Sequence, residues 1–479
     1  MTVIRPNSIS GVSSITGSGG DINLFRADGT KADVPTVNNI TAGVITATKF
    51  VGPIEGSGAN LTSIPAAQLT GTVADARIST LTSSKLSGAL PALDGSALTG
   101  VGVGTADSIN TSGIITATAF IPSQGQLSHR NLVINGDFRI SQRATSSASN
   151  GYTSVDRWKI ETSNITHNST KSQQSLSSSD TPYTLGFRKF ARIALAQAGV
   201  VAANSAAEIQ QRIEAQNIAT SGWNYTSASS NITLQFWFRC STNQTFYGYL
   251  YSFDGTAQLY TFSFTASANN TWTKITKTIP GNSNLTFNND NGAGLQLKLI
   301  AFYGTDYTNN LTLNQWGAID GANQMPDMAS TWLTAGASTF DITGVQLEVG
   351  TVATPFEHRS IGEEFRRCQR YYQQYVNISA VGYVPNNGSR TYSHGFFFPV
   401  EMRAAPTMSI TNTGSSNGQY ITDGSTNRYV SSVLSQGSKT THMSVSFNLT
   451  GDLTDYRGAY LFATGNTTYQ TTYKIAAEL

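Results

Sequence analysis

Between residues 234 and 299 apolar side chains return at every second position, and that period constrains the fold more than any other feature. Leu234, Phe236 and Phe238 alternate with Gln235, Trp237 and Arg239, and Phe262 and Phe264 alternate with Thr261, Ser263 and Thr265. Ile275 and Ile279 flank Thr276, Lys277 and Thr278, while Leu295, Leu297 and Leu299 alternate with Gln296 and Lys298. Successive side chains of a strand point to opposite faces, so this period gives each strand one apolar face. Loops rich in Asn, Gly and Ser separate the runs, as in a two-sheet antiparallel sandwich. The spacing predicts an all-β chain with its main sandwich over 131–357.

Length and charge set the frame around that sandwich. A chain of 479 residues is too long for one ordinary domain. Only 12% of it is charged and 39% is hydrophobic, which suits extended β surfaces better than one large core. A formal charge of +2 is too small for nucleic acid or an anionic membrane to be the main partner. No apolar run approaches the ~20 residues of a membrane helix, so no membrane insertion is expected. The N-terminal MTVIRPNSISG lacks a basic start followed by an apolar core, so no secretory signal is expected either. Cys240 and Cys368 have no second Cys or His at ligand spacing, and both are expected to be buried small apolar residues.

Residues 1–130 carry a repeat of another kind. Thr41–Phe50 (TAGVITATKF) returns as Thr111–Phe120 (TSGIITATAF), and Gly58–Ile64 echoes Gly95–Val101. These are short strands of small and β-branched residues, each broken by Gly or Pro. One such strand buries too little to offset an ordering entropy of roughly 1–2 kcal/mol per residue. Three chains wound together would supply the missing core, with Val44, Ile45, Phe50, Leu61 and Ile64 meeting their copies on an axis. The segment is therefore expected to attach the protein and form a slender homotrimeric shaft.

Asp341–Val349 (DITGVQLEV) alternates around Gly344, as a half-buried strand with an irregularity would. Ser360 and Glu363 have capping-box spacing, and a helical neck over 358–375 follows. Ile361, Phe365, Cys368, Tyr372 and Tyr375 recur at heptad steps, a seam serving equally a contact between chains or one with the chain's own domain. Beyond it, residues 376–479 alternate again at Met443, Val445 and Phe447, predicting a small C-terminal β-sandwich as the tip.

Three segments carry a resemblance. Asn131–Phe138 (NLVINGDF) with Asp156-Arg157-Trp158, then Gln346–Ser360 with the run RCQRYY, then Phe398–Thr407 (FPVEMRAAPT) resemble, in that order, the fibrous virion and tail-fibre proteins of bacteriophages. The repeats of 1–130 are similar to those in fibres of phages that infect marine cyanobacteria. The sandwich resembles jelly-roll carbohydrate-binding modules. The resemblance implies a homotrimeric virion fibre, joined to other virion proteins through its N-terminus and adhering to a host surface glycan, with lipopolysaccharide expected. A head- or baseplate-attached decorative fibre and a glycan-degrading tailspike are the alternatives. Jelly-roll relatives commonly hold a structural Ca2+ between first and last strand. The matching positions are Asp137 and Asp341, although Arg139 and Thr343 stand where relatives often have further acids.

Sugar binding needs exposed aromatic faces with amides or hydroxyls nearby. The sandwich offers Trp223, Tyr225, Tyr247, Tyr249, Tyr251, Tyr303, Tyr307 and Trp316, and the tip offers Tyr383, Asn386, Asn387, Tyr392, His394, Tyr420 and Tyr456. The chain has no Gly-x-Ser-x-Gly and no His-Glu-x-x-His, and its five histidines are scattered, so no enzyme is expected.

Overall fold

The computed structural model describes residues 14–18, 21–25, 28–30, 128–165, 168–384, 391–412, 419–461 and 470–479. Two compact units divide the chain, Met1–Ser112 and Gly113–Leu479. In the first, Ser14–Ser18 and Asp21–Phe25 form an antiparallel pair. The repeats at 41–120 and the shaft they predict lie outside the described residues.

The second unit is all-β with short helices. Two six-stranded sheets make the predicted sandwich. Sheet I runs Trp316–Ala318, Gln258–Phe264, Phe246–Ser252, Ala293–Tyr303, Ala206–Glu214, Lys159–Ser163. Sheet II runs Thr273–Pro280, Asn231–Cys240, Ser338–Val349, Lys189–Leu195, Ser169–Ser175, Ser146–Ser147. The period-two residues meet between them. Leu234, Phe236, Phe238, Leu295, Leu297 and Leu299 have no exposed surface, and the Phe238 ring packs on Phe246 and Phe264 at 5.2 and 5.0 Å. Such edge-on aromatic contacts add to the area term of burial. Cys240 lies in the same core.

The opening segment is a brace between the last strand and the helix. Asn131 Oδ1 accepts from the Val133 and Leu347 N–H groups at 3.0 and 3.1 Å, and its amide donates to Val345 O. Val345 N–H donates to Gly136 O at 2.8 Å. Asn135 turns the chain at φ +56 and bonds both polar groups of Ile140, while Trp158 Nε1 donates to Asn135 O. The recognisable residues of this motif are thus structural.

Ser338–Val349 contains the expected irregularity, a bulge between Thr343 and Gln346 with Gly344 at φ +63. A β-carbon there would lie 2.8 Å from the Phe187 ring, so both conformation and space require glycine. The strand was expected to be half-buried, yet Thr343, Gln346 and Glu348 are buried too. Thr343 donates to Lys189 O at 2.7 Å, and segment 354–357 covers the other two: Thr354 donates to Glu348 through N and Oγ1 at 2.8 and 2.6 Å, and Glu357 N donates to Gln346 Oε1.

The helix is shorter than the expected neck, Ile361–Gln369. Ser360 Oγ accepts from Glu363 N at 3.2 Å, while the Glu363 carboxylate turns instead to Arg367 at 2.9 Å. The heptad seam breaks up. Cys368 packs inward on Ile134, Ile140 and Tyr371, Ile361 and Phe365 stay exposed, and Tyr372 and Tyr375 fall on the strand Tyr372–Val376. Buried anchors end the helix: Tyr371 OH donates to Glu214 at 2.5 Å, and the Arg157 guanidinium lies 3.4 Å over the Tyr371 ring.

Tyr372–Val376, Thr471–Ala476 and Thr407–Asn412 then form a three-stranded sheet. Where the sequence predicts a small sandwich, six strands close into a barrel in the order Ala380–Tyr383, Thr391–Phe397, His442–Leu449, Asn427–Ser438, Tyr420–Thr422, Gly458–Leu461. Closure pairs the strand edges that an open sandwich would leave exposed. Met443, Val445 and Phe447 point into the barrel. Among the described residues no helix is long and apolar enough to cross a membrane.

Candidate functional site

The sandwich places its candidate aromatics inside. Trp223 is buried with Nε1 donating to Ser230 O at 3.2 Å, and Trp316 is buried with Nε1 on Pro280 O at 2.7 Å. Half-buried Tyr225 packs edge-on against Phe287. Tyr247, Tyr249 and Tyr303 line the outer face of sheet I, but Met325 and the segment around it cover that face. Tyr249 OH bonds Gln324 Oε1 at 3.1 Å, and the Tyr307 ring lies 4.9 Å from Tyr303. Trp223 and Trp316 therefore present no stacking face. Coverage by residues distant in sequence leaves no local signal.

The calcium expected between Asp137 and Asp341 does not fit these residues. Asp341 is fully buried, and both its oxygens are taken: Arg192 Nε and Nη2 donate at 2.7 and 2.8 Å, and Arg239 Nε at 3.0 Å. Two guanidiniums on one carboxylate leave no net negative charge for a divalent cation. Asp137 pairs with Arg139, and burial pushes its carboxyl above the usual range. Its neighbour Gly136 pairs with Val345, four residues along the strand from Asp341 and beyond the bulge. Among the described residues no group of three or more His, Cys, Asp or Glu is placed to hold a metal.

The tip brings two predicted residues together. Tyr383 and His394 line one open groove of about 480 Å³ on the barrel wall. Its floor is backbone. Gly395, Ser444 and Gly437 stand in one row across three paired strands, and a β-carbon on either glycine would meet nothing within 4 Å. Tyr383 is 57% exposed and Val381 66%, so the wall offers an aromatic ring and an apolar shoulder. His394 pairs with buried Val445, so its imidazole lies on the inward face against Phe396, with Nδ1 donating to Val381 O at 2.9 Å. Burial holds the imidazole below its usual value, favouring the neutral form. Ser444 and Ser446 add hydroxyls. Among the described residues, the lining includes no Asp, Glu, Lys or Arg.

An apolar ring face beside neutral donors and acceptors matches a pyranose, whose C–H face stacks while its hydroxyls bond. Sequence reasoning found Tyr383 and His394 but missed Gly395, Gly437, Ser444 and Ser446. Glycine at an outward strand position was the available signal, since it lets another molecule approach the backbone. Tyr392 is described through its backbone, paired with Phe447. Tyr456 is exposed in the turn beside the Tyr383 strand, its N–H on Val384 O at 2.9 Å, although it does not line the groove, half-buried Tyr420 faces Tyr429, and Asn386 and Asn387 lie outside the described residues.

No protein-family model matches the chain, and no curated protein does. Among solved structures, the enzymatically active domain of tailspike protein 4 of bacteriophage CBA120 aligns over 46% of this chain and 21% of its own, at 12% identity and TM-score 0.25. TmCBM61, solved with β-1,4-galactotriose, aligns over 46% and 97% at 9% identity and TM-score 0.24. The N-terminal cellulose-binding domain of Cellulomonas fimi β-1,4-glucanase C aligns over 45% and 99% at 8% identity and TM-score 0.21. Likenesses this faint carry no weight for what the chain does.

Proposed function

We propose that this chain is a subunit of a homotrimeric phage fibre, carried on the virion, that adheres to a bacterial surface glycan through the Tyr383 groove of its C-terminal barrel. The observation that carries the glycan reading is the groove itself: a backbone floor, an exposed tyrosine ring, neutral polar groups and, among the described residues, no charged side chain in its lining. The fibre reading is supported by the three ordered motifs at 131–158, 346–372 and 398–407 and by the N-terminal repeats. Attachment to other virion proteins is assigned to the N-terminal region, and lipopolysaccharide is the proposed receptor. Shallow grooves of this kind bind weakly, and several copies acting together raise the effective concentration enough to hold a particle.

The mode of action is adhesion. Glycoside hydrolysis places two carboxyl groups about 5–9.5 Å apart around the bond to be cut, and among the described residues the groove lining contributes neither. Purified protein incubated with a panel of bacterial lipopolysaccharides is expected to bind one or more of them without releasing reducing ends. Tyr383→Ala is expected to weaken that binding roughly tenfold or more. Release of reducing ends, or binding indifferent to Tyr383, contradicts the proposal.

A further inference from the structure

Sheet II carries a second pocket, on the face away from the sandwich core. It encloses about 370 Å³, a size typical of small-ligand sites. Its distinctive member is Trp237. Neighbouring aromatics of that strand are buried in the core, whereas Trp237 points outward and is half-buried. The Gly344 bulge makes the space, because any β-carbon there would press on the Phe187 ring and lie 3.2 Å from the Trp237 indole. Phe187 and Phe356 pack edge to face at 4.9 Å, and with Pro355 they form the wall opposite.

Lys274 pairs directly with Trp237 across the two strands, so their β-carbons are about 5 Å apart on the same face. It is exposed, and among the described residues neither its ammonium nor the Trp237 indole N–H has a bonding partner. Among the described residues no Asp or Glu lines the pocket, and His358 at its rim is engaged through Nε2 with Leu185 O at 2.9 Å. The pocket therefore sets a half-buried indole, packed on the Phe187 cluster, beside one positive charge that has no partner among the described residues.

We infer that this pocket binds an acidic pyranose, a hexuronic acid unit of a surface polysaccharide, with its C–H face on Trp237 and its carboxylate on Lys274. A neutral sugar would leave the ammonium without a counter-charge, and a purely apolar ligand would also leave the indole N–H unused. A charge-assisted contact is the stronger kind and supplies the discrimination. The choice of ligand rests on reading the chain as a glycan binder, but the residues are separate from the Tyr383 groove.

The test uses the full chain with β-1,4-linked glucuronate tetramers and the matching glucose tetramers, followed by calorimetry and saturation-transfer NMR. The glucuronate is expected to bind at least tenfold more tightly than the glucose tetramer. Lys274→Gln, at an exposed position, is expected to lose about tenfold for glucuronate only. Trp237→Ala is expected to remove binding of both tetramers at this site, and Tyr383→Ala to leave glucuronate binding unchanged. Equal affinity for the two tetramers, indifference to Lys274→Gln, or no glucuronate binding at all overturns the assignment. Loss of glucuronate binding in Tyr383→Ala with none in Trp237→Ala also overturns it, while leaving the barrel groove standing.

Discussion

A β-carbon at Gly136 would lie 2.0 Å from Val345 O, on the backbone of the last strand. That carbonyl cannot yield without moving the centre of sheet II. Gly136→Ala is therefore expected to destabilise the sandwich by roughly 2 kcal/mol or more, read as a lower denaturant midpoint. At Asp341 the effect is electrostatic. Asp341→Asn leaves Arg192 and Arg239 facing each other over a neutral amide. Because both arginines are partly solvated, the cost is expected nearer 2 than 5 kcal/mol. The same pairing predicts that neither millimolar Ca2+ nor a chelator shifts the melting temperature. A clear rise with Ca2+ contradicts the assignment of Asp341 as a structural ion-pair residue.

At the scale of elements, the fork of Arg370 on Glu214 joins the helix end to sheet I, with both contacts at 2.8 Å. Burial alone would raise the Glu214 carboxyl, but the bonds from Arg370 and Tyr371 outweigh it and hold it below its usual 4.5. A carboxyl depressed in the folded state contributes stability that is fully present above the unfolded value. That contribution is lost as pH falls through the folded value. Glu214→Gln should thus be less stable than the wild type at pH 7, with the gap narrowing as pH drops below about 4.5. A gap that widens toward acid contradicts this link.

The strands themselves were legible because period two reports an apolar face directly, as at Leu234, Phe236 and Phe238. Coverage of the polar face was not legible. Gln346 and Glu348 read as surface residues, yet they are sealed by Thr354 and Glu357, whose approach no local pattern encodes. The neck misled for a related reason. Its heptad spacing persists to Tyr375, but the buried Tyr371 and Arg157 contact ends the helix first. In the site, Tyr383 and His394 were legible as residue types, whereas the glycine floor depended on register between strands distant in sequence.

For the whole molecule, the account requires copies to act together. The chain of 51.1 kDa is expected to sediment at three times that mass at micromolar concentration, and a folded monomer there would remove the fibre reading. The claim most directly exposed to test is that the barrel groove, and not the buried Trp223 and Trp316 of the sandwich, makes the main lipopolysaccharide contact. Binding to immobilised lipopolysaccharide should be measured for the wild type, Tyr383→Ala and Trp316→Phe, each checked for folding by circular dichroism. The account predicts that Tyr383→Ala loses roughly tenfold or more while Trp316→Phe binds as the wild type does. Full binding by Tyr383→Ala together with loss in Trp316→Phe contradicts it.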